Sequence, residues 1–148
     1  MGCTRLVYNR ALAVRTEAWY NDKKRVGYSD TSAMLTEWKK EEGLDFLNKV
    51  SCVPLQQGLR HLQKAFSNFF EGRAQYPNFK KKRNGGSAEF IKSAFKFKDG
   101  QVYLAKCFEP LKIRWSRALP KECDSFHRHG EALARWKMDN IIVGGYCN

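Results

Sequence analysis

Four consecutive cations, Lys80, Lys81, Lys82 and Arg83, follow Tyr76, Pro77 and Phe79 in the stretch YPNFKKKRN. Cations beside aromatic rings are the side chains that nucleic-acid binding requires. Ammonium and guanidinium groups neutralise phosphates and release counterions, and rings stack on bases. The same types continue downstream. Lys92 comes first, then Lys96 and Lys98 alternate with Phe95 and Phe97, and Lys112 and Arg114 alternate again with Arg117 just beyond. Arg60 and Lys64 are spaced one helical turn apart, and Tyr103 and Trp115 add further rings. The Gln56-Gln57 pair offers amide donors and acceptors of the kind that read adenine edges. The competing role for the aromatics is core packing, and Phe79, Phe95 and Phe97 are assigned to it.

Catalytic chemistry has less to work with. Glu17, Glu37, Glu41 and Glu42 fall on helix faces expected to be solvated, and no acidic pair stands in an apolar setting. Gly85-Gly86 is a lone glycine pair rather than a phosphate-cradling loop. Cys123, His127, His129 and Cys147 are zinc-ligand types, but their spacing matches no established finger. The chain is expected to hold no metal, no cofactor and no small-molecule substrate.

The totals point the same way. The 148 residues suit one ordinary domain or two very small ones, and 43% hydrophobic with 14% aromatic content is enough for a packed core. The formal net charge of +12 favours a polyanionic partner, nucleic acid first and an anionic membrane surface second. No apolar run approaches the roughly 18 residues of a membrane span. The N-terminus MGCTRLVYN has Leu6 where myristoylation needs Ser or Thr, and it lacks the apolar core of a signal peptide. A cytoplasmic location is the default expectation. Cys3, Cys52, Cys107, Cys123 and Cys147 are scattered without a CxxC pair, which indicates neither a disulfide framework nor a zinc ribbon.

The elements that must position these residues follow from periodicity. Val7, Ala11, Val14 and Ala18 form a 4-3-4 stripe that predicts a helix over residues 4–24, with Gly27 beyond its end. A second helix is predicted in GYSDTSAMLTEWKKEEG, capped by Ser29 or Asp30, with Leu35 and Trp38 inward and Gly43 as the stop. LDFLNKV reads as a short helical turn. The strongest pattern is Leu55, Leu59, Leu62, Phe66 and Phe69 at 4-3-4-3 spacing, with Ser51 as N-cap, Pro54 in the first turn and Gly72 as the stop. Gly58 weakens that helix or admits the close approach of another backbone. After Gly72 the period becomes two: EFIK, AFKFK, QVYLA and LKIRW read as strands, with Asp99-Gly100 as a type I′ hairpin turn. The fold class expected is α+β, a helical bundle around Val7, Leu35, Trp38, Leu55, Leu59, Leu62 and Phe66 followed by an incomplete antiparallel sheet.

Four stretches in this order and spacing, GCTRLVYNRALAVRTEAW, YSDTSAMLTEWKKEEGLDFLNKVSCVPLQQGLRHLQKAFSNFFEG, YPNFKKKR and DGQVYLAKCFEPLKIRWSRALP, resemble the N-terminal part of the TnpB (OrfB) family. These are transposon-encoded, RNA-guided DNA endonucleases, often classed as transposases with a helix-turn-helix domain. The resemblance covers about Gly2 to Pro120. It implies that residues 1–74 are a recognition-lobe-like helical domain and that residues 75–120 are part of a wedge-like sheet with a basic entry loop. It also implies guide RNA and double-stranded target-adjacent DNA as partners, with Tyr28, Ser32 and Gln56 at positions matching the family's DNA-motif contacts. Two departures stand out: Cys52 where the family commonly has Lys, and Phe90-Ile91-Lys92 where it often reads FTN. The family's nuclease holds two metal ions on three acidic residues, chemistry expected beyond residue 120.

Residues 121–148 do not continue the family pattern. Shifting the codons for Ser125 to His129 and for Trp136 to Gly144 by one nucleotide permits a family-like strand, which suggests a frameshift near Glu122. The leading expectation is therefore a TnpB-like nucleic-acid-binding protein without the nuclease. The candidate binding set is Tyr28, Ser32, Gln56, Arg60, Lys64, Lys80, Lys81, Lys82, Arg83, Lys92, Lys96 and Lys98. The alternatives are a standalone nuclease-free DNA-binding regulator and, ranked below both, a membrane-surface protein.

Overall fold

In the computed structural model, which describes residues 2–84 and 88–112, four α-helices precede a β-hairpin, an α+β arrangement. They are α1 (Gly2–Asp22), α2 (Tyr28–Trp38), α3 (Phe46–Lys49) and α4 (Cys52–Phe70).

The organising element is α4. Ser51 caps it in extended conformation, its side chain accepting from the Val53 amide at 3.4 Å, and Pro54 occupies the first turn where no amide hydrogen is needed. Gly72 follows the helix at φ +70°, a left-handed conformation that glycine adopts without strain. Leu55, Leu59, Leu62 and Phe66 are all buried. They meet Val7, Tyr8, Ala11 and Leu12 of α1 and Leu35 and Trp38 of α2. Leu47, on the single turn of α3, is fully buried in the same core.

Gly58 makes the contact between α1 and α4 possible. A Cβ at this position would stand 3.1 Å from Thr4 Cγ2 and 3.7 Å from the Thr4 carbonyl oxygen. The missing side chain is what lets the two helices approach this closely.

The ends of α2 differ from expectation. Its N-cap is Gly27, not Ser29 or Asp30, and Asp30 serves from inside the first turn by accepting from the Gly27 amide at 2.8 Å. The helix stops at Trp38, well before Gly43, because the Lys40 and Glu41 amides bond the Glu37 and Trp38 carbonyls in tighter turns. The Asn48 side chain then donates from Nδ2 to the Lys39 carbonyl at 2.8 Å. Gly43, at φ +83°, shapes the turn that follows.

Beyond Gly72 the expected sheet is smaller. Strands β1 (Phe95–Lys98) and β2 (Gln101–Leu104) pair antiparallel, with Lys96 opposite Tyr103 and Lys98 opposite Gln101. Asp99 and Gly100 both have positive φ, 52° and 76°, as a type I′ turn demands. Leu111 adds one bridge to Val102, the described part of the LKIRW stretch. EFIK is not a strand. Lys92–Ala94 is instead a 3-10 turn closed by the Ala94 amide on the Ile91 carbonyl at 2.8 Å. The Glu89 carboxylate is drawn to His61 of α4, Nε2 to Oε2 at 2.6 Å, which holds this segment on the helices.

A lone hairpin is marginal in water. This one gains a tether where Lys106 Nζ donates to the Asn48 carbonyl at 2.6 Å. The expected cation Arg114 and ring Trp115, Arg117, the Cys123, His127, His129 and Cys147 set, and the whole tail from residue 121 lie outside the described residues.

Candidate nucleic-acid interface

On α4, Gln56, Arg60 and Lys64 fall four residues apart and so share one face. On α2, Tyr28 and Ser32 have the same spacing. The helices pack so that Arg60 meets Tyr28: Nε donates to the hydroxyl at 3.4 Å, and the guanidinium lies 5.4 Å from the ring centroid. This pairing orients a cation and a ring together at the α2–α4 junction. Arg60 and Lys64 are exposed, and Ser32 and Gln56 are half-buried. Gln57 is buried, so of the two glutamines only Gln56 is placed to reach a ligand.

The basic stretch is attached to α1 by a residue that periodicity did not single out. Asn9 Oδ1 accepts from the Lys80 amide at 2.8 Å, and Asn9 Nδ2 donates to the Lys80 carbonyl at 3.0 Å. One side chain thus satisfies both backbone groups of Lys80. Pro77 is buried and the Tyr76 hydroxyl lies 2.7 Å from Thr16 Oγ1. The Tyr76 ring packs edge-on against Phe66 and Phe69. These contacts fix where the loop leaves the helices.

One assignment within this stretch changes and one cation is partly covered. The Lys80 ammonium is half-buried, 4.3 Å over the Tyr8 ring, and burial pushes its pKa down. Burial also pushes the Tyr8 hydroxyl up. Phe79, assigned to the core, is instead 54% exposed, next to the Lys80 backbone that Asn9 holds. Lys81, Lys82 and Arg83 are exposed in the short 3-10 turn Lys82–Asn84 and nearby, with no acidic partner among the described residues.

The hairpin presents the third group. Lys96, Lys98, Gln101 and Tyr103 share one face by strand alternation and register, with Tyr103 donating to Gln101 Oε1 at 3.1 Å. Lys96 and Lys98 are exposed. The backbone of Lys92 opens the 3-10 turn, and the side chains of Lys92 and Phe97 lie outside what the structure describes.

Not every cation is available for a ligand. Arg15 stacks 4.1 Å over Phe66 and donates to Gln63 Oε1 at 2.9 Å, and burial lowers its pKa. Arg10 is held by Glu41 at 2.7 Å and lies over Trp38. Three groups remain: the Tyr28–Arg60 junction with Ser32, Gln56 and Lys64, the exposed Lys81–Arg83 run, and the hairpin face. Such a set can neutralise phosphates at several points and stack or hydrogen-bond at fewer.

A family model described as a helix-turn-helix domain, of the OrfB type found in IS605 elements, matches residues 1–24. A protein of Streptomyces pristinaespiralis, provisionally named an RNA-guided DNA endonuclease, is 60% identical over 121 residues. That match covers 81% of this chain and 30% of the relative. InsQ of Escherichia coli K12, provisionally named in the same way, is 40% identical over 81 residues, covering 55% of this chain and 20% of InsQ. The chain thus spans less than a third of the length of either relative.

Proposed function

We propose that this chain is an N-terminal portion of a TnpB (OrfB) family protein and that it binds nucleic acid through the three groups described above, a reading that the family-model match and the two relatives support. The partners proposed are a guide RNA and the duplex DNA next to a target. The observation that carries the reading is the Tyr28–Arg60 junction. It holds a cation, a phenol and, one turn away on either helix, Ser32 and Gln56 in a fixed arrangement that a disordered basic tail could not offer. Lys64, Lys81, Lys82, Arg83, Lys96 and Lys98 supply the sequence-independent phosphate contacts. Lys80 acts through its backbone and the Tyr8 contact.

We further propose that the cutting chemistry of the relatives lies outside this chain. The short span of the match supports that. Within the chain, residues 1–74 act as the helical recognition unit and residues 75–120 as the wedge-like unit, and residues 121–148 follow from a frameshift near Glu122.

The test is equilibrium binding of the full chain to a structured RNA and to duplex DNA over a salt series. Binding that weakens steeply with salt is expected for both. Failure to bind either at about 50 mM salt, where electrostatic affinity is high, sinks the proposal. Tight binding to one duplex sequence with no RNA affinity favours the nuclease-free regulator instead.

A further inference from the structure

The C-terminal end of α1 carries a second surface. Tyr20 is 71% exposed and Trp19 beside it is 41% exposed. Lys23 ends the helix in the left-handed conformation at φ 53°, where glycine is the usual residue, and its amide bonds the Trp19 carbonyl at 3.1 Å. That strained placement brings Lys23 Nζ within 5.8 Å of the Trp19 ring and 5.9 Å of the Tyr20 ring. Two residues on, the Arg25 guanidinium lies 5.6 Å from the ring of Phe70, itself 60% exposed.

Phe70 continues the series inward. It packs on Phe69 at 5.4 Å and on Phe66 at 6.2 Å, and both of those rings touch Tyr76. A run of ring contacts therefore leads from Phe70, beside Arg25, to Tyr76, four residues before Lys80, while Lys23 lies by Trp19 and Tyr20 two residues from Arg25. The acidic side chains alongside are Glu17, Asp22 and Glu71, and Glu71 is paired with Arg73.

We propose that this arc is a stacking track for unpaired nucleobases, with Tyr20, Trp19 and Phe70 as platforms and Lys23 and Arg25 holding the backbone alongside. Exposed rings at this density are costly in water unless something covers them. Cations set beside ring faces favour a polyanion with flat apolar groups, which is what single-stranded nucleic acid is. The inference rests on the nucleic-acid reading above. It adds a site for unpaired strands that the candidate set did not contain.

The test is fluorescence anisotropy of the full chain at about 50 mM salt with oligothymidylate and oligouridylate of about 12 nucleotides, each against an abasic strand of equal length. Tyr20→Ala and Phe70→Ala are each expected to weaken binding to the base-bearing strands by about five- to a hundredfold and to leave abasic binding unchanged. Tyr20→Leu and Phe70→Leu keep apolar bulk without a flat ring, and they should show the same selective loss while circular dichroism reports an intact fold. The oligothymidylate and oligouridylate arms tell a DNA strand from an RNA strand.

Equal losses on base-bearing and abasic strands, or none on either, overturn the track. If the unaltered chain binds structured RNA or duplex DNA but no single strand, only the track falls; if it binds none of these at about 50 mM salt, the proposed function falls with it. If the chain and its variants bind all strands alike, only the track falls.

Discussion

Replacing Lys81, Lys82 and Arg83 with Gln measures the phosphate contacts directly. Each cation that neutralises a duplex phosphate contributes about 0.9 to the slope of log affinity against log salt, and about 0.7 for a single strand. Three exposed cations without acidic partners among the described residues should therefore flatten the slope by about 2.7 on duplex DNA and about 2.1 on a single strand. Between about 50 and 200 mM salt, the unaltered chain should lose about 40-fold more duplex affinity than the triple variant. Adding Lys80→Gln should move the slope by well under another 0.9, since that ammonium already lies 4.3 Å over the Tyr8 ring. Sequence preference should not change, because phosphates carry none. The assay is anisotropy or filter binding with two unrelated duplexes at four salt concentrations. An unchanged slope, a fourth step from Lys80 equal to the others, or a loss confined to one duplex would refute the reasoning.

Other perturbations probe the scaffold. Gly58→Ala should destabilise the chain by about 1 kcal/mol despite alanine's better helix propensity, because its Cβ meets Thr4 Cγ2 at 3.1 Å. In a Thr4→Ala background the same change should instead stabilise, and urea midpoints with and without Thr4 decide between the two signs. Leu47→Ala should cost about 2–5 kcal/mol by chemical denaturation, although α3 is a single turn, because Leu47 is fully buried. Lys80 binds its proton less readily folded than unfolded, so between its lowered pKa and the ordinary 10.5 the unfolded chain holds more protons and stability rises with pH. Tyr8, raised by burial, acts oppositely above pH 10. Urea midpoints of the unaltered chain against Lys80→Met, from pH 8 upward, should reveal a gain that the variant lacks. A double-mutant cycle of Tyr28→Phe and Arg60→Gln in duplex binding should give non-additive losses, and strict additivity would separate the two groups.

Local sequence patterns determine much of this protein. The 4-3-4-3 run on α4 named Leu55, Leu59, Leu62 and Phe66 as core, because a helix can bury such a stripe on one side only. Ser51, Pro54 and Gly72 marked its ends, and Asp99-Gly100 marked the hairpin, since caps and tight turns depend on residues close in the chain. The excess of cations pointed to a polyanion. What residues far apart in sequence do to one another was not legible. Asn9 clamps Lys80 across 71 positions, His61 holds Glu89, and Lys106 reaches Asn48. Not legible either were the 3-10 turn Lys92–Ala94 where EFIK is expected to end as a strand, the Lys80 ammonium over the Tyr8 ring, or the exposure of Phe79. The packing of α2 against α4 likewise joined Tyr28 and Arg60, which only a helix crossing could pair. Periodicity places a residue on a face, while tertiary packing decides what that face meets and which cations are left free to meet a ligand.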